Sequence, residues 1–153
     1  MSVLDEIDRI CKENNLKYSL AYGTLLGAVR HKGYIPWDDD IDMGMTRKNF
    51  DKFIRVCAEE LDTDKFYLQT EEELLYPFNF AKLRLKGTNI TEEFSKGIGK
   101  ENGIFIDIFP VDVIPDNRFL RKIQFFEFWL FRNLLWVKCG HGEQSQKKTL
   151  QYK

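Results

Sequence analysis

The segment YGTLLGAVRHKGYIPWDDDIDMGM, residues 22–45, decides the fold, because it joins a glycine-containing turn to four aspartates within five positions. The residues just before it, LKYSLAYG (16–23), are typical of a strand that Gly23 ends. Next, TLLGAVR (24–30) predicts a short helix with Thr24 as its N-cap, and the N–H groups of such a helix start favour an anion. DIDMGM (40–45) alternates in period two and predicts a second strand beside the first.

The alternation within DIDMGM places two carboxylates together. Side chains two positions apart in a strand point to the same face, so Asp40 and Asp42 project together while Ile41 and Met43 turn into the core. Two charges about 6 Å apart repel by roughly 3 kcal/mol at an effective dielectric constant of about 20. Protons or cations must therefore compensate, and ligands that are all oxygen select a hard cation such as Mg²⁺.

A third carboxylate lies far along the chain. Asp107 stands between Ile106 and Ile108 in an apolar stretch, where an isolated charge is costly to bury. If its strand lies beside the first pair, Asp107 is a natural third metal ligand; otherwise backbone groups or an arginine would satisfy it. For Asp38 and Asp39 a metal role and a solvated acidic turn after Pro36 are equally open.

The rest of the chain alternates between helical and extended patterns, which predicts a mixed α/β (α+β) fold. A capping box at Ser2 begins a helix that runs to about Asn14, and Thr46 can cap another with one apolar face. The remaining predicted elements are strands at KFYLQT (65–70), FNFAKLRLKG (78–87), TNITEEF (88–94) and NGIFIDIFPVDVI (102–114), and a helix from Arg118 to about Val137.

The aromatic helix 118–137 carries apolar residues all round, which predicts a buried or partner-facing helix. Its apolar run is interrupted by Glu127, Arg132 and Asn133 and falls short of the roughly 20 residues of a membrane span. Peripheral contact with a membrane, or self-association, is left open. The tail, residues 141–153, is polar and expected to be flexible.

Bulk composition limits the class of protein. A chain of 153 residues fits one domain, and a net charge of −1 argues against nucleic-acid binding through a broad cationic surface. An odd number of cysteines and a start without a secretion signal predict the reducing cytoplasm, with the inner face of the membrane as an alternative. Cys139 and His141 lack a second pair with zinc-ligand spacing.

Three elements together carry a family resemblance. Gly23-Thr24, Asp40-Ile41-Asp42 and Asp107 resemble the nucleotidyltransferase superfamily. The longer string of residues 23–45, followed by FAKLR (80–84) and GIFIDIFPVD (103–112), looks like the LicD family of phosphotransferases, which includes the fukutin-related proteins. The resemblance implies a nucleotidyltransferase-like domain over residues 1–140. Because family members generally continue further, the chain resembles a form truncated at its C-terminus.

The resemblance also implies an activity. LicD-like proteins use a CDP-activated alcohol, such as CDP-choline, to place a phospho-alcohol on a hydroxyl of a glycan acceptor, as in lipopolysaccharide or teichoic acid. Mapped onto this chain, Asp40 and Asp42 would bind Mg²⁺ with Asp107 as third ligand or general base, and Asp38 would assist. The residues expected to bind the donor are Gly23, Thr24, Arg30, His31, Trp37, Lys82 and Arg84.

Each donor-binding expectation has a simpler alternative. Gly23 could be an ordinary turn glycine, the charged side chains could be solvated surface groups, and Trp37 could merely pack the Pro36 loop. Two other functions also remain open: a non-catalytic module that binds CDP compounds or a partner, and a nucleotidyltransferase that acts on a small molecule and releases diphosphate.

Overall fold

The computed structural model describes residues 2–73, 76, 78–90 and 102–138, which form a five-stranded mixed sheet with flanking helices. In the sheet the strand order is β1-β2-β5-β4-β3; β2 and β5 are parallel and the other neighbouring pairs are antiparallel. The elements are α1 (Val3–Glu13), β1 (Ser19–Leu20), α2 (Tyr22–Arg30), β2 (Asp42–Thr46), α3 (Arg47–Glu60), β3 (Phe66–Gln69), β4 (Ala81–Leu85), β5 (Phe105–Val111) and α4 (Arg118–Lys138). The predicted α/β class is confirmed.

One face of the sheet forms the hydrophobic core with α1 and α3. Met43 and Ile108 from the two parallel strands are fully buried there, as are Ile7 of α1 and Phe53 of α3. The predicted capping box is present at the start of α1: the Asp5 N–H donates to Ser2 Oγ at 3.2 Å, and the Ser2 N–H donates to Asp5 Oδ2 at 2.8 Å. The apolar period of both helices therefore decides which face of the sheet is covered.

The opposite face of the sheet carries the polar residues of the same strands. Successive side chains alternate between the two faces of the sheet. Asp42 therefore points away from the face that holds Met43, and Asp107 points away from the face that holds Ile106 and Ile108. Helix α2 contacts β2. The polar face is where a site can form.

The start of α2 differs from the expectation. The helix begins at Tyr22, with Ala21 as N-cap, so Thr24 lies inside the first turn, and the prediction of Thr24 as N-cap is wrong. The first strand is correspondingly short, and β2 begins at Asp42 rather than Asp40. The Ala21 N–H donates to the Asp42 carbonyl at 2.9 Å, and this bond to the neighbouring chain segment fixes where the strand gives way to the helix.

Helix α4 forms as predicted near the C-terminal end of the described residues. These residues do not bury it, since Phe119, Phe126 and Trp129 are among its large apolar side chains that are more than half exposed. The partner-facing alternative therefore stays open. Of TNITEEF, residues 88–90 form no strand and the rest lies outside the described residues, as do Cys139, His141 and the predicted tail. Among the helices described, none is long and apolar enough to cross a membrane.

Candidate functional site

Three carboxylates meet on the polar face of the sheet: one from β2, one from the segment just before β2, and one from β5. The parallel pairing of β2 and β5 places Asp42 opposite Asp107, and the Asp107 N–H donates to the Ile41 carbonyl at 2.9 Å. Asp40 precedes the strand, yet one carboxylate oxygen from each of Asp40, Asp42 and Asp107 lies within 4.8 Å of the others. We call these three residues the aspartate centre. The two strands lie side by side, which meets the condition that the sequence left open for Asp107.

The electrostatics of the centre favour a cation. Burial, followed by the charges of Asp40 and Asp38, raises the pKa of Asp42 to about 6, against a smaller opposing effect of Lys82. Burial and the charges of Asp38 and Asp39 likewise raise the pKa of Asp40. An all-oxygen set of ligands with this much mutual repulsion fits a hard divalent cation such as Mg²⁺.

Lys82 reaches the same centre from β4. Its Nζ lies 2.9 Å from Oδ1 and 3.2 Å from Oδ2 of Asp107, and 3.5 Å from the centroid of the Phe105 ring. The Lys82 side chain is buried, so its ammonium group contacts Asp107 and the Phe105 ring rather than bulk solvent. Lys82 therefore places a positive charge at the edge of the aspartate centre.

Arg84 lies on the same face of β4 as Lys82, but its side chain is buried and hydrogen-bonded to other parts of the sheet. The prediction that both side chains reach one face is confirmed, since the Arg84 guanidinium also lies over the Phe105 ring, at 4.8 Å. Arg84 is however 1% exposed, and it donates to Gln69 Oε1 at 2.8 Å and to the Gly103 carbonyl at 3.1 Å. The expected contact of Arg84 with a donor phosphate does not agree with this interior position.

The start of α2 is attached directly to the aspartate centre. Thr24 Oγ1 accepts a hydrogen bond from the Asp42 N–H at 2.9 Å, so its hydroxyl holds the strand rather than capping the helix. At Gly23, a Cβ atom would lie 2.5 Å from Asp38 Oδ2, so the Asp38 side chain would have to move to admit a larger residue. The first-turn N–H groups of a helix have no acceptor within it, so this end can bind phosphate near the carboxylates.

Arg30, His31 and Trp37 lie toward the other end of α2 and the loop that follows. Arg30 is the last residue of the helix and His31 its C-cap, and nine residues of helix span about 13 Å. The His31 ring meets the Trp37 ring edge-on, at 6.0 Å, and Trp37 is 81% exposed. Their roles in donor binding stay predictions.

Sequence reasoning missed Tyr22. Its φ of 41° lies in the left-handed region, and its ring packs edge-on against Phe109 at 5.0 Å. No local pattern announces this residue, because its conformation follows from the hydrogen bonds that hold Ala21 and Thr24 to Asp42.

A cavity of about 410 Å³ lies elsewhere, between α3 and the β3–β4 connection. Phe50, Ile54 and Phe80 supply its apolar walls, and Arg47 and Arg55 also line it. The aspartate centre does not belong to its lining. Among the described residues, the acids close enough together to hold a metal ion lie at the aspartate centre and in the run 38–40, outside this cavity.

Comparison with known proteins identifies the family of this chain. Residues 15–134 match the model of the LicD/FKTN/FKRP nucleotidyltransferase domain. This chain belongs to the LicD family. The lipopolysaccharide cholinephosphotransferase LicD of Haemophilus influenzae is 37% identical over 119 residues, which cover 76% of this chain and 43% of that protein. An uncharacterized Rickettsia typhi protein is 30% identical over 110 residues, covering 67% of this chain and 36% of that protein. This chain therefore spans less than half the length of these two relatives.

Proposed function

We propose that this LicD-family chain carries the metal- and donor-binding part of a Mg²⁺-dependent transferase. The reaction moves phosphocholine, or a similar phospho-alcohol, from a CDP-activated donor to a hydroxyl of a cell-surface glycan such as a lipopolysaccharide or teichoic acid precursor. The observation that carries the proposal is the aspartate centre, assembled from two strands beside a helix start, in a chain similar to a lipopolysaccharide cholinephosphotransferase.

The carboxylates of Asp40, Asp42 and Asp107 would hold the metal, with Asp38 near enough to the first of them to assist. When bound there, Mg²⁺ would neutralise the donor diphosphate and the charge that develops on the departing CMP. The raised pKa of Asp42 is consistent with this role, because two neighbouring carboxylates need a compensating charge when both are ionised.

The chain's own groups would orient the donor. The N-terminal turn of α2, fixed to Asp42 through Thr24, presents backbone N–H groups to phosphate oxygens, and Lys82 adds a cation at the opposite edge. The acceptor oxygen would form a bond to the phosphorus of the phospho-alcohol as the bond to CMP breaks. The acceptor hydroxyl would give its proton to a base in that step, for which Asp107 is the candidate implied by the resemblance. In-line placement of the two oxygens lowers the barrier.

Calorimetric titration of CDP-choline tests the proposal directly. With Mg²⁺ present we expect binding by the wild-type chain, and a loss of at least about tenfold in affinity in Asp42→Asn or when Mg²⁺ is replaced by EDTA. Asp64→Asn is the matched control, since Asp64 is an exposed aspartate outside the centre. Wild-type affinity in Asp42→Asn would contradict the assignment. In a turnover assay with an acceptor, release of CMP from CDP-choline fits the proposed transfer, whereas release of diphosphate from CTP would identify nucleotidyl transfer.

A further inference from the structure

Tyr22 is held beside the aspartate centre by the residue before it and by the residue two positions after it. The Ala21 N–H donates to the Asp42 carbonyl at 2.9 Å, and Thr24 Oγ1 accepts from the Asp42 N–H at 2.9 Å. These two bonds attach the first turn of α2 to the backbone of a candidate metal ligand. The Tyr22 ring therefore extends from a backbone whose distance from the centre is fixed.

The ring of Tyr22 is directed along the polar face of the sheet. It contacts Phe109 edge-on, with 5.0 Å between ring centroids and an interplanar angle of 83°. Phe109 follows Asp107 by two positions on β5, so both side chains lie on the face that carries the aspartate centre. The Phe80 ring packs on the far side of this pair, 4.5 Å from Phe109. An aromatic surface thus adjoins the carboxylates.

Packing does not explain why a tyrosine stands at this position. Its φ of 41° is unfavourable for a residue with a Cβ atom. Burial does not offset that cost, because Tyr22 remains 67% exposed despite its contact with Phe109. An exposed aromatic ring held in a strained backbone conformation next to a reaction centre is available to a ligand.

The surroundings of the ring select the chemistry of that ligand. The backbone N–H and carbonyl of Asp42 are hydrogen-bonded to Thr24 and Ala21, so the backbone that carries the Tyr22 ring lies beside a carboxylate residue of the aspartate centre. A quaternary ammonium cannot donate a hydrogen bond, and it is bound by aromatic faces and nearby negative charge. We propose that Tyr22 determines donor specificity by binding the quaternary ammonium of choline through its ring. This inference rests on the proposed function.

Two donor analogues that differ only in charge test the role of Tyr22. CDP-choline and the CDP ester of 3,3-dimethylbutanol have the same shape, but the second lacks the positive charge. With Mg²⁺ we expect the wild-type chain to bind CDP-choline about three- to thirtyfold more tightly than the neutral ester. Tyr22→Phe should keep this ratio, and Tyr22→Leu should bring it close to one while the affinity for CDP stays at the wild-type value.

The outcomes separate this inference from the proposed function. If the wild-type chain binds no CDP compound in the presence of Mg²⁺, both fail. If CDP binds but the ratio persists in Tyr22→Leu, or is lost in Trp37→Leu instead, Tyr22 does not recognise the cation. Loss of CDP binding itself in Tyr22→Leu would show that the residue acts on the nucleotide or the fold, and would also overturn the inference.

Discussion

Asp42 is subject to opposing demands at the scale of a single residue. Its backbone bonds place it at the first position of β2, where burial and the charges of Asp40 and Asp38 disfavour the ionised carboxylate. The same placement makes it a candidate metal ligand in the aspartate centre. In the proposed function, its burial would lower the stability of the metal-free protein and favour a bound cation, a common cost at functional sites.

The sign of the pH dependence follows from the pKa of Asp42. Its folded-state pKa of about 6 lies above the ordinary value of 3.8, so the folded chain binds this proton more tightly than the unfolded chain does. In EDTA, the free energy of unfolding should therefore fall as pH rises from about 4 through 6 on account of this group, and Asp42→Asn should remove that component. Melting temperatures of both chains between about pH 4 and 7 would measure the difference.

Added Mg²⁺ should reverse this trend at the same residue. The metal competes with the proton, so the rise in melting temperature caused by Mg²⁺ should be largest above pH 6 and shrink below it. A metal effect of constant size across this range, or an identical pH profile in Asp42→Asn, would contradict the assignment of Asp42.

At the scale of elements, β4 carries two cations with different tasks. Lys82 pairs with Asp107 at the aspartate centre, whereas Arg84 binds Gln69 of β3 and the Gly103 carbonyl before β5. Arg84 thus connects three successive parts of the sheet. Lys82 and Arg84 stand two positions apart on the same face of β4, but their side chains contact different groups.

Replacing each cation by methionine should separate these tasks. Arg84→Met leaves buried acceptors without their donor, so we expect the free energy of unfolding to fall by about 2–4 kcal/mol in urea titrations, with the Mg²⁺ effect on stability retained. Lys82→Met should change the size of the Mg²⁺ effect, because it removes the cation beside a metal ligand. Equal Mg²⁺ responses in the two variants would argue against this division.

The sequence predicted the elements that depend on local patterns and missed those that depend on distant partners. The capping box at Ser2 follows from local spacing, and the alternation of DIDMGM predicts β2 beside β1. The pairing of Asp42 with Asp107 is a condition that the sequence leaves open, because strands so far apart in the chain carry no local sign of their adjacency. The start of α2 could not be predicted, because it is fixed by hydrogen bonds to Asp42 across the sheet. The burial of Arg84 depends on groups from other elements, which alternation within one strand does not reveal.

At the scale of the whole molecule, α4 is the main departure from a closed apolar core. Its exposed apolar side chains adjoin those of the preceding segment, including Val113 and Ile114. Basic residues also lie along the helix, among them Arg121 and Arg132. A contiguous apolar surface of this kind favours association with another surface.

We expect the chain to self-associate through α4 as its concentration rises. Sedimentation velocity should detect oligomers in the wild-type chain, and the double change Phe119→Ser and Phe126→Ser should shift it toward monomer. Gln124→Ser is the control, since it alters the same helix without removing apolar surface. A wild-type chain that stays monomeric at all concentrations contradicts the prediction, and a monomer that binds anionic vesicles would assign the helix to a membrane surface.

The parallel pairing of β2 with β5 has a consequence for folding kinetics. Between these strands the chain forms α3, β3 and β4, so Asp42 and Asp107 are brought together only after a long loop has closed. A short peptide that contains the four clustered aspartates carries the charge of the centre but not its geometry. A metal ion held by all three residues of the centre, as proposed, would therefore require that β2 and β5 have already paired.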